Sequence, residues 1–332
     1  MLARFKSRLL VSLLTAATAV GAAFSAQAAE DWPKQRPVNV IVAFAPGGST
    51  DTLARKLSQL LGEHYKQSFV VENKPGAGGN IGTAYAARQK PDGYTLYLGT
   101  VASHGVAPNL YKNTGYDPIA DFTPIGTISA SPQIIVVPKD SPIKTIGDLV
   151  AHGKKGTGNY ASSGAGTTIH LAGELFNLRA GTQLEHVPFQ GSGPAVNALL
   201  GSHVDVLFDD MPSSTPHVKA GNLRALAVTG TERVPLFPDL PTLSEIGKDY
   251  GLEGFNVSAW FFLGAPKGIP ESVADSLSEA LMKILQEDEM KSFIAGLGAT
   301  PMVRTRAETE AFIKQELDKW NEVITQGNIP KM

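Results

Sequence analysis

VNVIVAFAPGGSTDTLARKL, residues 38–57, is the stretch on which the fold turns. Val38 to Phe44 is a short apolar run rich in β-branched residues, the pattern of a buried strand. A loop of small residues follows, Ala45 to Asp51, and then a helical face at Leu53, Leu57, Leu60, Leu61 and Tyr65. Thr50 or Asp51 is the expected N-cap. The same grammar recurs along the chain. Phe69 to Val71 runs into a loop, Asn73 to Asn80, and a small-residue helix to about Gln89. Tyr94 to Leu98 is a third strand, leading into Gly99 to Gly105.

A second set opens at Gln133. Ile134 to Val137 reads as a strand, and Thr145 caps a helix through Val150. Asn159 to Ala161 is a strand before Ser162-Ser163-Gly164-Ala165-Gly166-Thr167-Thr168 and a helix. Leu184 to Val187 leads into Pro188-Phe189-Gln190-Gly191-Ser192-Gly193 and another helix. Val204 to Phe208 ends at Asp209-Asp210, and Leu223 to Val228 is one more strand. Such alternation predicts an α/β protein with parallel sheets, its loops gathered at the carboxyl ends of the strands where ligands bind. Two sets, with Pro-rich connections near 118–132 and 235–241, predict two lobes and a cleft. The last third reads as mostly helical. Its stripes, Leu277/Leu281/Ile284/Leu285 and Phe312/Ile313/Leu317/Trp320/Ile324, read as packing faces.

Composition narrows the function. The chain has 332 residues and a net charge of −2, with 34 Gly, 22 Pro and no Cys. Near-neutral charge argues against a nucleic-acid partner. The missing cysteines exclude disulfides, thiolate metal sites and cysteine nucleophiles together. Arg4, Lys6 and Arg8, an uncharged stretch from Leu9 to Phe24 and the Ala26-Gln27-Ala28 triplet form a signal peptide, cleaved after Ala28. Its removal takes three positive charges and no acids, leaving an exported, mildly acidic protein.

The loops at Gly47–Asp51 and Ser162–Thr168 are alike: small residues, then hydroxyls at a helix start. Glycine lets the backbone turn and present its N–H groups. The helix N-terminus adds about half a positive charge. Each loop is an anion site without a cationic side chain, or else simply a capped helix in a tight turn. Two facing loops could hold both ends of a dianion. Nucleotide motifs fail: no phosphate-binding GxxxxGK[ST] occurs, and Gly156 to Ala161 precedes a strand rather than opening a helix. No GxSxG or HExxH is present. His170 and Glu174 share a helix face but lack a third metal ligand. Asp209-Asp210 at a strand end reads as a base, a ligand acceptor or a helix cap. His104 and His170 are candidates for the cleft wall or for satisfied structural histidines.

Seven stretches, VAFAPGGSTDTLAR (42–55), VENKPGAGGNIG (71–82), PDGYTL (91–96), YDPIADFTP (116–124), HVPFQG (186–191), LRALAVT (223–229) and PDLPTLSEIG (238–247), carry a resemblance. They resemble the Bug family, the substrate-binding receptors of tripartite tricarboxylate transporters. The resemblance implies a two-lobe, type II periplasmic binding-protein fold that closes on a small carboxylate, with residues 29–128 and 224–332 in lobe one and 129–223 in lobe two. By matching position it implies ligand contacts from Gly47, Gly48, Ser49 and Asp51, from Gly78 and Gly79, and from Ser163, Gly166 and Thr167. Phe44 would close over the ligand and Asp209 would face its variable end. Thr100, His104 and Phe189 complete the expected site. The usual PYKG is here Pro188-Phe189-Gln190-Gly191, a more apolar wall that favours a longer or aromatic carboxylate. The usual Pro before Phe44 is Ala43. The expected partners are the ligand and an inner-membrane permease, for a monomer with neither cofactor nor metal. An exported enzyme using Asp209 or His104 as base, or a sensor subunit of a two-component system, are the alternatives.

Overall fold

The computed structural model describes residues 32–326 and 331–332, so the leader expected at 1–28 lies outside the described residues. The chain runs β1 (Val38–Val42), α1 (Ser49–Tyr65), β2 (Phe69–Asn73), α2 (Asn80–Ala87) and β3 (Thr95–Thr100). A π-helical turn (Ala102–Val106) and α3 (Ala107–Leu110) follow. Next come β4 (Phe122–Pro138), α4 (Ile146–Gly153), β5 (Asn159–Ser162), α5 (Thr168–Ala180), β6 (Glu185–Pro188), α6 (Ser192–Leu200), β7 (Val206–Asp210), α7 (Met211–Lys219) and β8 (Leu223–Val228). The remainder is α8 (Leu243–Ile246), β9 (Ser258–Pro266), α9 (Glu271–Gln286), α10 (Asp288–Gly296), β10 (Thr300–Pro301) and α11 (Arg306–Gln326).

The strand order is β2-β1-β3-β9-β4-β7-β5-β6, with β8 and β10 paired to β4. β1 lies parallel between β2 and β3, and β5 lies parallel between β6 and β7. β1 is apolar on both faces because it is covered on both, and Val38, Val40, Ile41 and Val42 are all buried. Residues 122–132 of β4 pair with β9, whereas 133–138 pair with β7 and β8. β4 is therefore the strand that both halves share. The result is a curled, mixed α/β sheet in two lobes.

Several local expectations change. Residues 118–132 were expected to be a connection, and from Phe122 they are strand. Pro124 and Pro132 suggest a loop, but Pro124 sits at a register shift and Pro132 where the β9 ladder ends. Prolines are tolerated at such places, where no ladder N–H is needed. The last third carries the nine-residue strand β9 as well as helices, and SAWFFLGAP is buried on both faces, so it shows no alternation. β8 pairs with the second half of β4. α1 starts two or three residues early, with Gly48 rather than Thr50 or Asp51 at the N-cap. Thr145 caps α4 as expected, in a reciprocal capping box with Asp148.

The helical stripes are core. Leu277, Leu281, Ile284 and Leu285 of α9 are buried, as are Ile313, Trp320 and Ile324 of α11. The buried Glu316 carboxylate accepts from Trp260 Nε1 at 2.8 Å and Trp320 Nε1 at 3.3 Å, tying β9 to α11. Close approach fixes some glycines. At Gly99, in β3, a Cβ would lie 1.9 Å from the Phe262 ring, its fully buried cross-strand neighbour. We expect Gly99→Ala to displace that ring and cost about 1–3 kcal/mol by overpacking. Chemical denaturation reads this as a lowered midpoint, and an unchanged midpoint would contradict the packing described.

Candidate functional site

The junctions that end β1, β3, β5, β6 and β7 converge where the two lobes meet. Asp51 organises the first of them. Its buried carboxylate accepts from the Gly47 N–H at 2.9 Å, from Arg55 through Nε and Nη2 at 2.9 and 3.0 Å, and from Asn73 Nδ2 at 2.9 Å. Burial alone would raise the carboxyl, but these bonds outweigh it and hold it below its ordinary range. Asn73 also donates to the Phe44 carbonyl at 3.0 Å. Gly47 has φ +84°, a left-handed turn that aims the following N–H groups outward. Asp51 thus shapes the loop from behind.

The second junction follows β5. Thr167 N-caps α5, accepting from the His170 N–H and donating from Oγ1 to the Gly164 carbonyl at 2.7 Å. Gly164 and Gly166 have φ of +131° and +77°. Ser162 Oγ accepts from the Gly164 N–H at 3.0 Å and lies 2.6 Å from His186 Nε2. His170 Nδ1 accepts from the Gly166 N–H, and Glu174 accepts from the Tyr160 hydroxyl. The helix-face pair is thereby engaged with separate partners. Among the described residues, no cluster of three or more His, Asp or Glu could hold a metal ion.

The two lobes touch across the cleft. The Ala45 N–H donates to the Gln190 carbonyl at 2.8 Å. Tyr111 donates to the Ala165 carbonyl at 2.7 Å, and Ser49 Oγ lies 3.1 Å from Ser213 Oγ. Between them lies a narrow, partly open cavity of about 20 Å³. Phe44, Gly48, Ser49, Thr50, Thr100, Ser163, Thr167, Thr168, Ser192 and Asp210 line it, with Val101, Ala102, Ala259 and Phe261. A second cavity shares Phe44 and Ser163 with it and is lined by Gly78, Gly79, Tyr111 and Phe189.

Four helices, α1, α5, α6 and α7, begin at the first cavity, contributing Ser49, Thr168, Ser192 and the Asp210 N-cap. No Lys or Arg lines either cavity. The wall is hydroxyls and helix N-termini, with Asp210 the single acid. Such a wall can hold an anion by dipoles and hydrogen bonds alone.

Of the expected residues, Phe44, Gly48, Ser49, Thr100, Ser163 and Thr167 line the first cavity, and Gly78, Gly79 and Phe189 the second. Gly47, Asp51 and Gly166 shape the loops without lining either. Two others are placed elsewhere. His104 is fully buried among Tyr97, Tyr116, Phe122 and Phe262, with Nδ1 2.9 Å from Ser103 Oγ. Burial pushes its pKa down to about 3, so it is neutral. Asp209 is fully buried, and its Oδ2 accepts from Ser213 and Ser214 at 2.5 and 2.6 Å. Strand alternation turns the neighbour, Asp210, to the cavity instead. Burial raises both carboxyls, and the Asp209 charge raises Asp210 further, to about 7. Ser192 was foreshadowed by a Gly-Ser-Gly helix start after a strand. Ala259 and Phe261 had no local signal, since they come from β9.

The sequence profile of the tripartite tricarboxylate transporter family receptor matches residues 53–329. The BugT protein of Bordetella pertussis is 35% identical over 308 residues, covering 92% of this chain and 93% of its own length. The solved periplasmic binding protein BugD superposes with a TM-score of 0.85 at 37% identity, over 90% of this chain and 99% of that one. A protein of R. palustris solved with adipate gives 0.85 at 35% identity, over 91% and 100%.

Two outcomes test this geometry. At Gly193, inside α6, a Cβ would lie 2.3 Å from the Pro46 carbonyl across the cleft, while its own φ is unstrained. Gly193→Ala should disturb this contact between the lobes and weaken ligand binding at least tenfold, about 1.4 kcal/mol or more. Unchanged affinity by calorimetry would mean that the closed contact is not used. For His104, the unfolded imidazole binds a proton that the folded one refuses between pH 6.5 and about 3, so stability is lost as pH falls through that window. The stability gap between wild type and His104→Gln should shrink by about 2 kcal/mol from pH 7 to pH 5. A constant gap in urea titrations would mean that His104 ionises in the fold.

Proposed function

The chain belongs to the tripartite tricarboxylate transporter receptor family, and from that membership we propose that it captures a small organic dicarboxylate between its lobes for a tripartite permease. The observation that carries this reading is the first cavity, where four helix N-termini and a ring of hydroxyls converge with no cation. Helix ends favour negative charge by about 0.3–1 kcal/mol each at exposed sites and more when partly buried. The second cavity, between Phe44 and Phe189, extends the first in a mainly apolar direction. It suits the chain or ring of an extended acid, as the adipate-bound relative also suggests for this protein. Gln190 lines this side without a charge.

Binding rather than turnover is favoured because both expected bases are withdrawn. His104 is neutral inside an aromatic cluster, and Asp209 is tied to two serines. Among the described residues we assign 32–128 with most of 224–326 to one lobe and 129–223, extended by β8, to the other. Export through cleavage after Ala28 belongs to the same reading, and among the described residues no helix is long and apolar enough to cross a membrane.

A thermal-shift series of aliphatic dicarboxylates from four to eight carbons, with aromatic mono- and dicarboxylates beside it, tests the proposal. A ligand at a hundredfold excess over Kd stabilises by about 2.7 kcal/mol, a rise of several degrees. If no acid in the panel moves the transition, the carboxylate reading fails. Deletion of the gene should abolish uptake of the acid that binds; intact uptake with lost gene induction would favour the sensor role. Intact mass of the exported protein should begin at Ala29.

A further inference from the structure

The first cavity carries one ionisable side chain, and its sign is wrong for an anionic ligand. Asp210 occupies the N-cap of α7, yet its side chain makes no cap bond. Oδ1 accepts from Gln133 Nε2 at 3.4 Å, a long and weak contact. The residue is partly exposed and lines the cavity, whereas Asp209 beside it is sealed against Ser213 and Ser214. The neighbours offered by the other elements are neutral: Gln133 from β4 meets the carboxyl, while Ser49 from α1 and Ser213 from α7 donate to the Asp210 main-chain carbonyl. Among the described residues, Asp209 is the charged group that acts on it. Ionised, Asp210 would repel a ligand carboxylate. As a neutral acid it becomes one more hydroxyl donor in a wall of donors.

We propose that Asp210 is a specificity-determining residue that meets the ligand as a carboxylic acid, its O–H donating to a ligand carboxylate, so that capture of a fully ionised dicarboxylate takes up one proton from solvent. This rests on the carboxylate reading above. The geometry already favours the protonated form before ligand arrives, since burial and the adjacent Asp209 lift the carboxyl to about 7. A ligand carboxylate at hydrogen-bond distance adds a second negative neighbour and lifts it further. The proton is therefore bound more tightly in the complex than in the free protein. By linkage, affinity is flat below neutrality and falls as pH rises above it, by up to about tenfold per pH unit. The discrimination is also defined: a ligand with an ammonium or hydroxyl at this point would need the ionised form and gain nothing from the acid.

The test is calorimetry of the exported protein with adipate as probe, between about pH 6.5 and 8.5, in two buffers of different ionisation enthalpy. Wild type should take up close to one proton per adipate near pH 8, and its Kd should rise about tenfold from pH 7.5 to 8.5. Asp210→Asn, whose amide donates at every pH, should fold with a melting temperature at pH 8 no lower than that of wild type, bind adipate with a pH-independent Kd and take up no proton. Adipate binding in wild type without proton uptake, or uptake that persists in Asp210→Asn, would overturn the inference and leave the carboxylate reading intact. So would tighter binding of an aminodicarboxylate than of adipate, lost in Asp210→Asn. Failure of adipate and every acid in the thermal panel to bind at any pH would remove the carboxylate reading, and the inference with it.

Discussion

The dicarboxylate proposed for this cleft would have to be held by dipoles, since no cation lines the cavity, and a helix dipole acts only within about one turn of its end. That short range is the constraint on which the rest of this structure depends. Four helices have to begin within a ligand's length of one another, and no single strand–loop–helix unit can supply more than one. The parallel strands β1, β3, β5, β6 and β7 solve the problem by delivering their carboxyl ends to one line. The shared strand β4 fixes the two halves against each other so that the ends converge. Loop shape is then secured from outside the cavity. Asp51 spends its charge on Gly47, Arg55 and Asn73 rather than on a ligand.

The same constraint explains where close approach is needed. Backbone N–H groups reach a ligand only if nothing stands in front of them. Across the cleft, a Cβ at Gly78 would lie 2.3 Å from the Ala165 carbonyl, and one at Gly193 equally close to the Pro46 carbonyl. These glycines serve the closure between lobes as much as the turn within either. Gly48 itself has an ordinary extended φ of −87°. The left-handed turn belongs to Gly47, and the crossing contact to Gly193 on the other side.

A buried charge of the wrong sign beside such a site is tolerable only if it can be neutralised. Among the described residues Asp209 and Asp210 have no cationic partner, and burial raises both. Their contribution to stability has a definite sign. The folded carboxyls hold protons that the unfolded ones release above about 4, so this pair favours the fold as pH falls from neutrality towards 4. His104 acts in the opposite direction over much of the same range.

The sequence by itself determined the alternating strand–loop–helix units, because each is local: a β-branched run, a small-residue turn and a helical stripe are read within twenty residues. It also pointed to part of the cavity wall, since Ser49, Ser163 and Thr167 announce themselves as hydroxyls at helix starts. Tertiary structure decided what depends on neighbours far along the chain. β9 and the first half of β4 have no alternation to read, because both faces are covered. His104 became a core residue because four aromatic rings from distant segments enclose it. Asp209 and Asp210 exchanged places because strand alternation sends adjacent side chains to opposite faces, and only the packed sheet says which face is the cleft.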